Sequence, residues 1–287
     1  MPPTKSAPLT HFLCLPLVTP ASTPTLTSSL TKFAASYTYP VSRGLDVSPR
    51  LTAKSTNSSR DSESGSNDEE GAQALPLAPF PRKAVRPLGT LHLTLGVMSL
   101  VSKERIDEAA RFLKELDVQG MLKNSADGTI SSNVTAIRTE EAKIEATQDK
   151  TNSAPLVVTL RGLQPMQAPE KTSILFAAPH DSSGRLMRFS EALRQAFLKE
   201  GLVKHEDRGL KLHATIVNTV YAKGGRRKGG GSRFQDGKFD ARDVIEKWKD
   251  EDWAEVKLES VAICEMGAKV GDDGVERYRK IAETNLP

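Results

Sequence analysis

The chain has 287 residues, of which 38% are hydrophobic and 26% charged, and its formal net charge is +4. Its cysteines, Cys14 and Cys264, are too few for a disulfide scaffold or a cysteine-rich zinc site, and they fit a reducing compartment. No apolar run approaches the roughly 20 residues that a membrane-spanning helix needs, and the mild positive charge is compatible with an anionic partner.

The first predicted elements are a strand over 11–18 and a helix over 25–37, preceded by a disordered N-terminus over 1–9. No acidic residue occurs before Asp46, and the first forty residues are rich in Ser, Thr and Pro. Transit peptides share this composition, so a targeting segment is the alternative interpretation. A second strand is predicted over 91–98. Ser102 is then expected to cap a helix whose apolar residues recur at helical spacing up to Leu116.

The second half of the chain is predicted to be a rough repeat of this arrangement of elements. Two strands, over 155–163 and 172–178, precede a helix over 185–199 that Gly201 ends. A strand over 210–217 follows, and Asp240 is expected to cap a short helix that reaches Trp248. Strands over 255–266 and 275–283 flank the Gly-Asp-Asp-Gly sequence at 271–274, which predicts a closing hairpin. Each half therefore contains a strand with a histidine at its centre.

Three polar stretches, over 41–88, 122–152 and 223–236, interrupt these elements. The first contains a run of Ser, Asn, Asp and Glu that cannot bury enough apolar surface to order itself. The third is rich in glycine and basic residues. We therefore expect a single domain over 10–287 with three flexible insertions.

Two segments share one pattern of residues around a histidine. They read Leu-His-Leu-Thr-Leu around His92 and Leu-His-Ala-Thr-Ile around His213. Residues i and i+2 of a strand point to the same face, so each histidine shares a face with Thr94 or Thr215. The apolar neighbours are expected to enter the core. Each pair thus offers an imidazole and a hydroxyl about 7 Å apart along a strand.

Such a double pair suits phosphodiester cleavage without a metal or another cofactor. A neutral imidazole takes a proton from the attacking hydroxyl, and a protonated one gives a proton to the leaving oxygen. The sequence does not assign these two roles between His92 and His213. Thr94 and Thr215 can hold the phosphate oxygens. A polar strand face and a zinc site are the alternatives, but no third and fourth zinc ligands are evident.

These motifs resemble those of the 2H phosphoesterase superfamily, in the branch of A-kinase anchor protein 7 and subunit 1 of the activating signal cointegrator 1 complex. The opening Thr-His-Phe-Leu-Cys-Leu-Pro-Leu at 10–17 also matches that branch. The resemblance implies an α+β fold of two lobes, with antiparallel sheets facing a central cleft and helices outside. It implies phosphodiesterase activity on RNA ends or small oligonucleotides with 2′,3′-cyclic or 2′–5′ linkages. His92 and His213 would be catalytic, and Thr94 and Thr215 would bind phosphate.

The resemblance also implies a nuclear or cytoplasmic protein that binds RNA or a nucleotide. The alternative function is a binding subunit of a transcription-coactivator or repair complex with little turnover, and ligation in reverse is ranked last. The residues before the first predicted strand lack the Gly-x-x-Gly loop of a KH module, so we expect no such module ahead of it. Eight basic and two acidic residues occur over 203–234, around the second motif. The candidate nucleic-acid contacts in this region are Lys211, Tyr221, Arg226, Arg227, Lys228 and Phe234.

Overall fold

The computed structural model of the chain describes residues 7–39, 80–125, 154–222 and 237–287. The helices are α1 (Thr23–Tyr37), α2 (Lys103–Glu115), α3 (Val118–Asn124), α4 (Arg185–Lys199) and α5 (Arg242–Trp248). The strands are β1 (His11–Pro16), β2 (Thr38–Tyr39), β3 (Phe80–Pro81), β4 (His92–Met98), β5 (Val157–Pro165), β6 (Ile174–His180), β7 (Ala214–Asn218), β8 (Asp252–Lys257), β9 (Ser260–Glu265), β10 (Lys269–Val270), β11 (Glu276–Arg277) and β12 (Lys280–Asn285). None of the helices in these ranges is long and apolar enough to cross a bilayer.

Eight of the strands form one sheet in the order β12-β9-β1-β4-β7-β6-β5-β8. All pairs within it are antiparallel. The sheet has two halves of four strands, which meet where β4 pairs with β7 at a single position, Leu93 opposite Ala214. This confirms the α+β class. The two expected sheets are joined edge to edge, so the two strands that carry the histidine motifs are neighbours.

The sheet is strongly curled, as the connection between β8 and β9 demonstrates. β8 forms one edge of the sheet, whereas β9 lies next to the strand at the opposite edge. Only residues 258 and 259 join them, and three peptide steps span at most about 11 Å. The prediction of one strand over 255–266 was therefore wrong: two strands of opposite halves replace it, because the chain turns at Leu258 and Glu259.

A shared hydrophobic core packs the helices against one face of both halves. α1 contributes Leu26, Leu30, Phe33 and Tyr37, which recur at helical spacing, and all four are buried. A smaller cluster of Phe12, Cys14, Ala262 and Cys264 lies apart from this core, on strands β1 and β9. Residues 12 and 14 share a strand face, so this second cluster covers the opposite side of the sheet.

Several local predictions agree with the structure. α4 has the predicted bounds, and Gly201 follows it with φ +62°. The Ser102 hydroxyl accepts a hydrogen bond from the Arg105 backbone N–H at 3.3 Å, which confirms the predicted cap of α2. The predicted cap of α5 by Asp240 was wrong, because Ala241 occupies the N-cap position; the Asp240 carboxylate, one residue earlier, accepts a hydrogen bond from the Arg242 N–H at 3.1 Å.

Other predicted boundaries need correction. β7 begins at Ala214 rather than at 210, so His213 directly precedes the strand. Residues 80–88, which we assigned to the first insertion, contain β3, which pairs with β2, and a turn of 3₁₀ helix; Val85 and Arg86 then bond to β7. α3 likewise occupies the start of the second insertion. The N-terminus over 1–9 was expected to be disordered, but the Pro8 carbonyl accepts a hydrogen bond from the Ser99 hydroxyl at 2.8 Å, so the end of this segment is held against the fold. Residues 1–6, 40–79, 126–153 and 223–236 lie outside the described residues.

Candidate active site

Alternation along β4 positions the first histidine motif. Leu93 and Leu95 are buried in the core, whereas His92 and Thr94 face the other side and are half-buried. The same alternation continues around β7. There Ala214 and Ile216 are fully buried, and His213 and Thr215 are half-buried. Because successive side chains of an extended strand point to opposite faces, all four polar side chains point away from the core.

The pairing of β4 with β7 brings the two motifs together. Leu93 lies opposite Ala214 in antiparallel register. One step along each strand therefore sets His92 opposite Thr215, and Thr94 opposite His213, on the same face. The two histidines are diagonal neighbours, a relation in which antiparallel Cα atoms lie about 7–8 Å apart. This arrangement has approximate twofold symmetry, with each imidazole across from the hydroxyl of the other motif.

A matching backbone contact orients both imidazoles. Nδ1 of His92 lies 2.8 Å from the Thr90 carbonyl oxygen, and Nδ1 of His213 lies 2.8 Å from the Lys211 carbonyl oxygen. A carbonyl only accepts hydrogen bonds, so Nδ1 carries the proton in both rings. In the neutral ring Nε2 is then the unprotonated nitrogen, which can accept a hydrogen bond. Nε2 of His92 accepts a hydrogen bond from the Thr94 hydroxyl at 3.0 Å.

Aromatic rings enclose His92. Its ring centroid lies 4.7 Å from that of Phe12 and 5.3 Å from that of Tyr278. Burial lowers the pKa of His92 to about 4; the Thr90 carbonyl opposes this shift, and the positive charges of Arg86 and His213 add to it. His92 is therefore neutral at physiological pH. His213 has a more open environment, with the Phe176 ring at 5.5 Å.

The sequence analysis missed Arg86 and Tyr278. The guanidinium of Arg86 donates to the Tyr278 hydroxyl at 3.2 Å and lies 4.1 Å from the centroid of the Tyr221 ring. Burial raises the pKa of Tyr278. Arg86 fell in a predicted insertion, although the apolar Ala84 and Val85 before it are a signal that this segment packs.

The other predicted contacts are only partly within the described ranges. Lys211 orients His213 through its carbonyl, and its ammonium lies 4.7 Å from the centroid of the Phe176 ring. Tyr221 is 54% exposed and belongs to the Arg86 group. The basic residues of the third insertion and its aromatic neighbour lie outside the described residues; they are Arg226, Arg227, Lys228 and Phe234. No cluster of three or more His, Cys, Asp or Glu that could hold a metal ion occurs in the described parts.

Comparison with known families identifies the class to which this fold and site belong. Residues 9–286 match the model of the AKAP7 2′5′ RNA ligase-like domain. The match covers nearly the whole chain, so the chain belongs to this family. The resemblance inferred from the two histidine motifs is thereby confirmed.

Individual relatives are more distant. The chain is 25% identical over 187 residues to mouse activating signal cointegrator 1 complex subunit 1, in an alignment that covers 61% of this chain and 45% of that protein. It is 30% identical over 122 residues to the uncharacterized protein C15D4.13c of Schizosaccharomyces pombe, covering 42% of this chain and 52% of that one. The chain thus spans about half the length of these curated relatives. The crystal structure of E. coli LigT complexed with 3′-AMP is 12% identical with a TM-score of 0.45, and the match covers 97% of this chain and 98% of LigT.

Proposed function

We propose that this protein is a metal-independent phosphodiesterase acting on RNA ends or small oligonucleotides with 2′,3′-cyclic or 2′–5′ linkages. One observation carries the proposal: two His-Thr pairs face one another across a single strand junction. Each imidazole is held at Nδ1 by a backbone carbonyl, so its Nε2 atom is the one available for proton transfer. Membership of the AKAP7 2′5′ RNA ligase-like family supports the substrate class.

The environments of the two imidazoles suggest their roles. His92 is neutral above pH 4, so its Nε2 can take a proton from water or from a ribose hydroxyl as that oxygen attacks phosphorus. His213, in its protonated form, gives a proton to the leaving oxygen as the old P–O bond breaks. The Thr94 hydroxyl turns from Nε2 of His92 to the phosphate, and it and the Thr215 hydroxyl donate to the non-bridging oxygens, where negative charge grows in the transition state. The proton count balances, with one proton taken and one returned.

The test is hydrolysis of a small substrate panel in EDTA. The panel contains a 2′,3′-cyclic nucleotide, a 2′–5′ oligoadenylate and a short single-stranded RNA. We expect the wild type to cleave at least one of them, and His92→Ala/His213→Ala to lose about 10²–10⁴-fold or more in rate, the usual contribution of general acid–base groups. Equal cleavage by both proteins would indicate a contaminating nuclease and count against the proposal. Activity that EDTA abolishes would exclude the metal-independent mechanism.

The second candidate is a nucleotide-binding subunit of a coactivator or repair complex in the nucleus or cytoplasm. Its support is the name of the mouse relative, a subunit of the activating signal cointegrator 1 complex. Nucleotide binding without cleavage, lost in the same double variant, would favour this function. Co-purification of the tagged full chain with subunits of such a complex would be the second requirement.

A further inference from the structure

Arg86 is a buried cation with no anionic partner among the described residues. Its exposed fraction is 6%. Its side chain contacts the Tyr278 hydroxyl and the face of the Tyr221 ring, and neither group is a carboxylate. None of the ion pairs in the described ranges includes it. A buried charge without an opposite charge is costly, so an anion bound beside this guanidinium would be strongly favoured.

A cavity of about 520 Å³ opens beside Arg86, between α1, residues 82–88 and Tyr221. This volume lies in the range of small-molecule sites. Its charged lining consists of Arg82, Lys83 and Arg86, opposed by one carboxylate, Glu276. Arg82 and Lys83 are exposed, so they can reach a ligand without rearrangement of the core. Because three cations face one carboxylate, the pocket carries a net positive charge that favours binding of a phosphate group.

This cavity, which we call the Arg86 pocket, adjoins the candidate active site. The Arg86 backbone N–H donates to the Ile216 carbonyl at 2.8 Å, next to Thr215. Its guanidinium is linked through Tyr278 to the ring of His92. Arg86 therefore connects a wall of the pocket with the candidate active site.

We propose that the Arg86 pocket is a second nucleotide subsite that binds the phosphate flanking the reacting one. Arg86, Arg82 and Lys83 bind this phosphate. Arg86 covers one face of the Tyr221 ring. The other face of this ring is exposed, and the base next to the bound phosphate stacks on it. The inference rests on the proposed function and narrows its substrate class: an oligonucleotide of at least two nucleotides is preferred to a cyclic mononucleotide.

The test compares two substrates with the same reacting group. One is 2′,3′-cyclic AMP; the other is a triadenylate ending in a 2′,3′-cyclic phosphate, which adds flanking phosphates and bases. We expect Arg82→Ala/Lys83→Ala to lower the ratio of kcat/KM for the triadenylate to that for cyclic AMP about tenfold. The matched control is Arg111→Ala/Lys114→Ala, which removes the same two charges from exposed positions of α2 and should leave the ratio unchanged. If Arg82→Ala/Lys83→Ala, the pocket variant, leaves the ratio unchanged, the proposal of a second subsite is wrong.

A binding measurement separates failure of the subsite from failure of the proposed function. The probe is a triadenylate with 2′-O-methyl groups on every sugar, and its Kd is measured over a series of salt concentrations. We expect the pocket variant to bind this probe more weakly than the wild type. The slope of log K against log salt concentration should be shallower by about 0.7 for each phosphate that the variant no longer neutralises. If the wild type cleaves nothing but these changes occur, the phosphodiesterase proposal fails and the subsite stands. If cleavage occurs and neither ratio nor binding changes, the subsite alone fails.

Discussion

At the scale of single residues, the two imidazoles share one hydrogen-bonding pattern but differ in their surroundings. Both donate Nδ1–H to the carbonyl two residues earlier. His92 is enclosed by Phe12 and Tyr278, and Arg86 adds a positive charge nearby. Burial and this charge both disfavour the imidazolium. The environment, and not the motif, therefore distinguishes the proposed base from the proposed acid.

The charge of Arg86 should be visible in the pH dependence of catalysis. In the wild type, kcat/KM should fall on the acid side as His92 is protonated, near pH 4. Because Arg86 lowers the pKa of His92, Arg86→Met should move this limb to higher pH, whereas Arg86→Lys should keep it closer to the wild-type position. Circular dichroism verifies that each variant is folded. An acid limb that stays in place in folded Arg86→Met would show that the charge of Arg86 does not act on the group that sets this limb.

His92 should also make folding stability depend on pH. Its pKa of about 4 in the folded state lies below the ordinary histidine value of 6.5, so between these values the unfolded chain binds more protons. The stabilisation is complete above pH 6.5 and is lost as the pH falls towards 4. Between pH 7.5 and 4.5 the wild type should lose about 2 kcal/mol more than His92→Gln, measured by urea denaturation. Equal losses in both proteins would show that the imidazole titrates normally.

At the scale of elements, irregularities in the strands bend the sheet. The register of β5 shifts against β6 between Arg161 and Gln164, and against β8 between Leu160 and Arg161. Gly162 lies within this irregularity with φ +66°. A β-bulge increases local twist and bends a strand. The bend allows Gly162 to accept a hydrogen bond from the buried Trp253 indole at 2.8 Å.

Two glycines with left-handed backbone allow the cost of this bend to be measured. A Cβ at Gly162 would lie 2.7 Å from the Lys249 carbonyl oxygen, whereas one at Gly201, with φ +62°, would meet nothing within 4 Å. Gly201→Ala should therefore cost about 1 kcal/mol from backbone strain alone. Gly162→Ala should cost about 1–2 kcal/mol more, because the backbone around it must shift. Denaturation midpoints of the two variants test this order, and equal costs would contradict the close approach at Gly162.

At the scale of the whole molecule, the two halves of the sheet share one core. Residues from β1, β4, β5, β7, β8 and β9 belong to the same buried cluster. α1 follows β1 in the chain, yet its Ser29 hydroxyl donates to the Trp253 carbonyl in β8 at 2.8 Å. The connection between β8 and β9 also passes from one half to the other. We therefore expect the halves to unfold together, although the sheet joins them at one residue pair.

A substitution in one half, observed in the other, tests this cooperativity. Ile263 is fully buried in β9, and both tryptophans lie in the other half, on α5 and β8. Ile263→Ala should cost about 2–4 kcal/mol and lower the midpoint by the same amount in tryptophan fluorescence and in far-UV circular dichroism. Val270→Ala, at an exposed position, is the control and should change stability by less than about 0.5 kcal/mol. Two separate transitions would indicate independent halves.

Local patterns in the sequence determined most elements and the core of the candidate site. The spacing of apolar residues predicted α4 with its observed bounds, and a serine hydroxyl predicted the start of α2. Alternation around His92 and His213 predicted that both would turn away from the core. These predictions succeed because helix caps and strand faces depend on residues a few positions apart.

Tertiary structure alone decided what depends on distant residues. The single pairing of Leu93 with Ala214 sets the two motifs opposite one another, and no local pattern specifies it. The division of 255–266 between the two halves of the sheet follows from the curl of the sheet, not from the apolar residues of this segment. Arg86 joins the site because its backbone bonds to Ile216, 130 residues further along the chain. Contacts of this kind depend on how the whole chain packs, so the Arg86 pocket could be recognised only in the folded molecule.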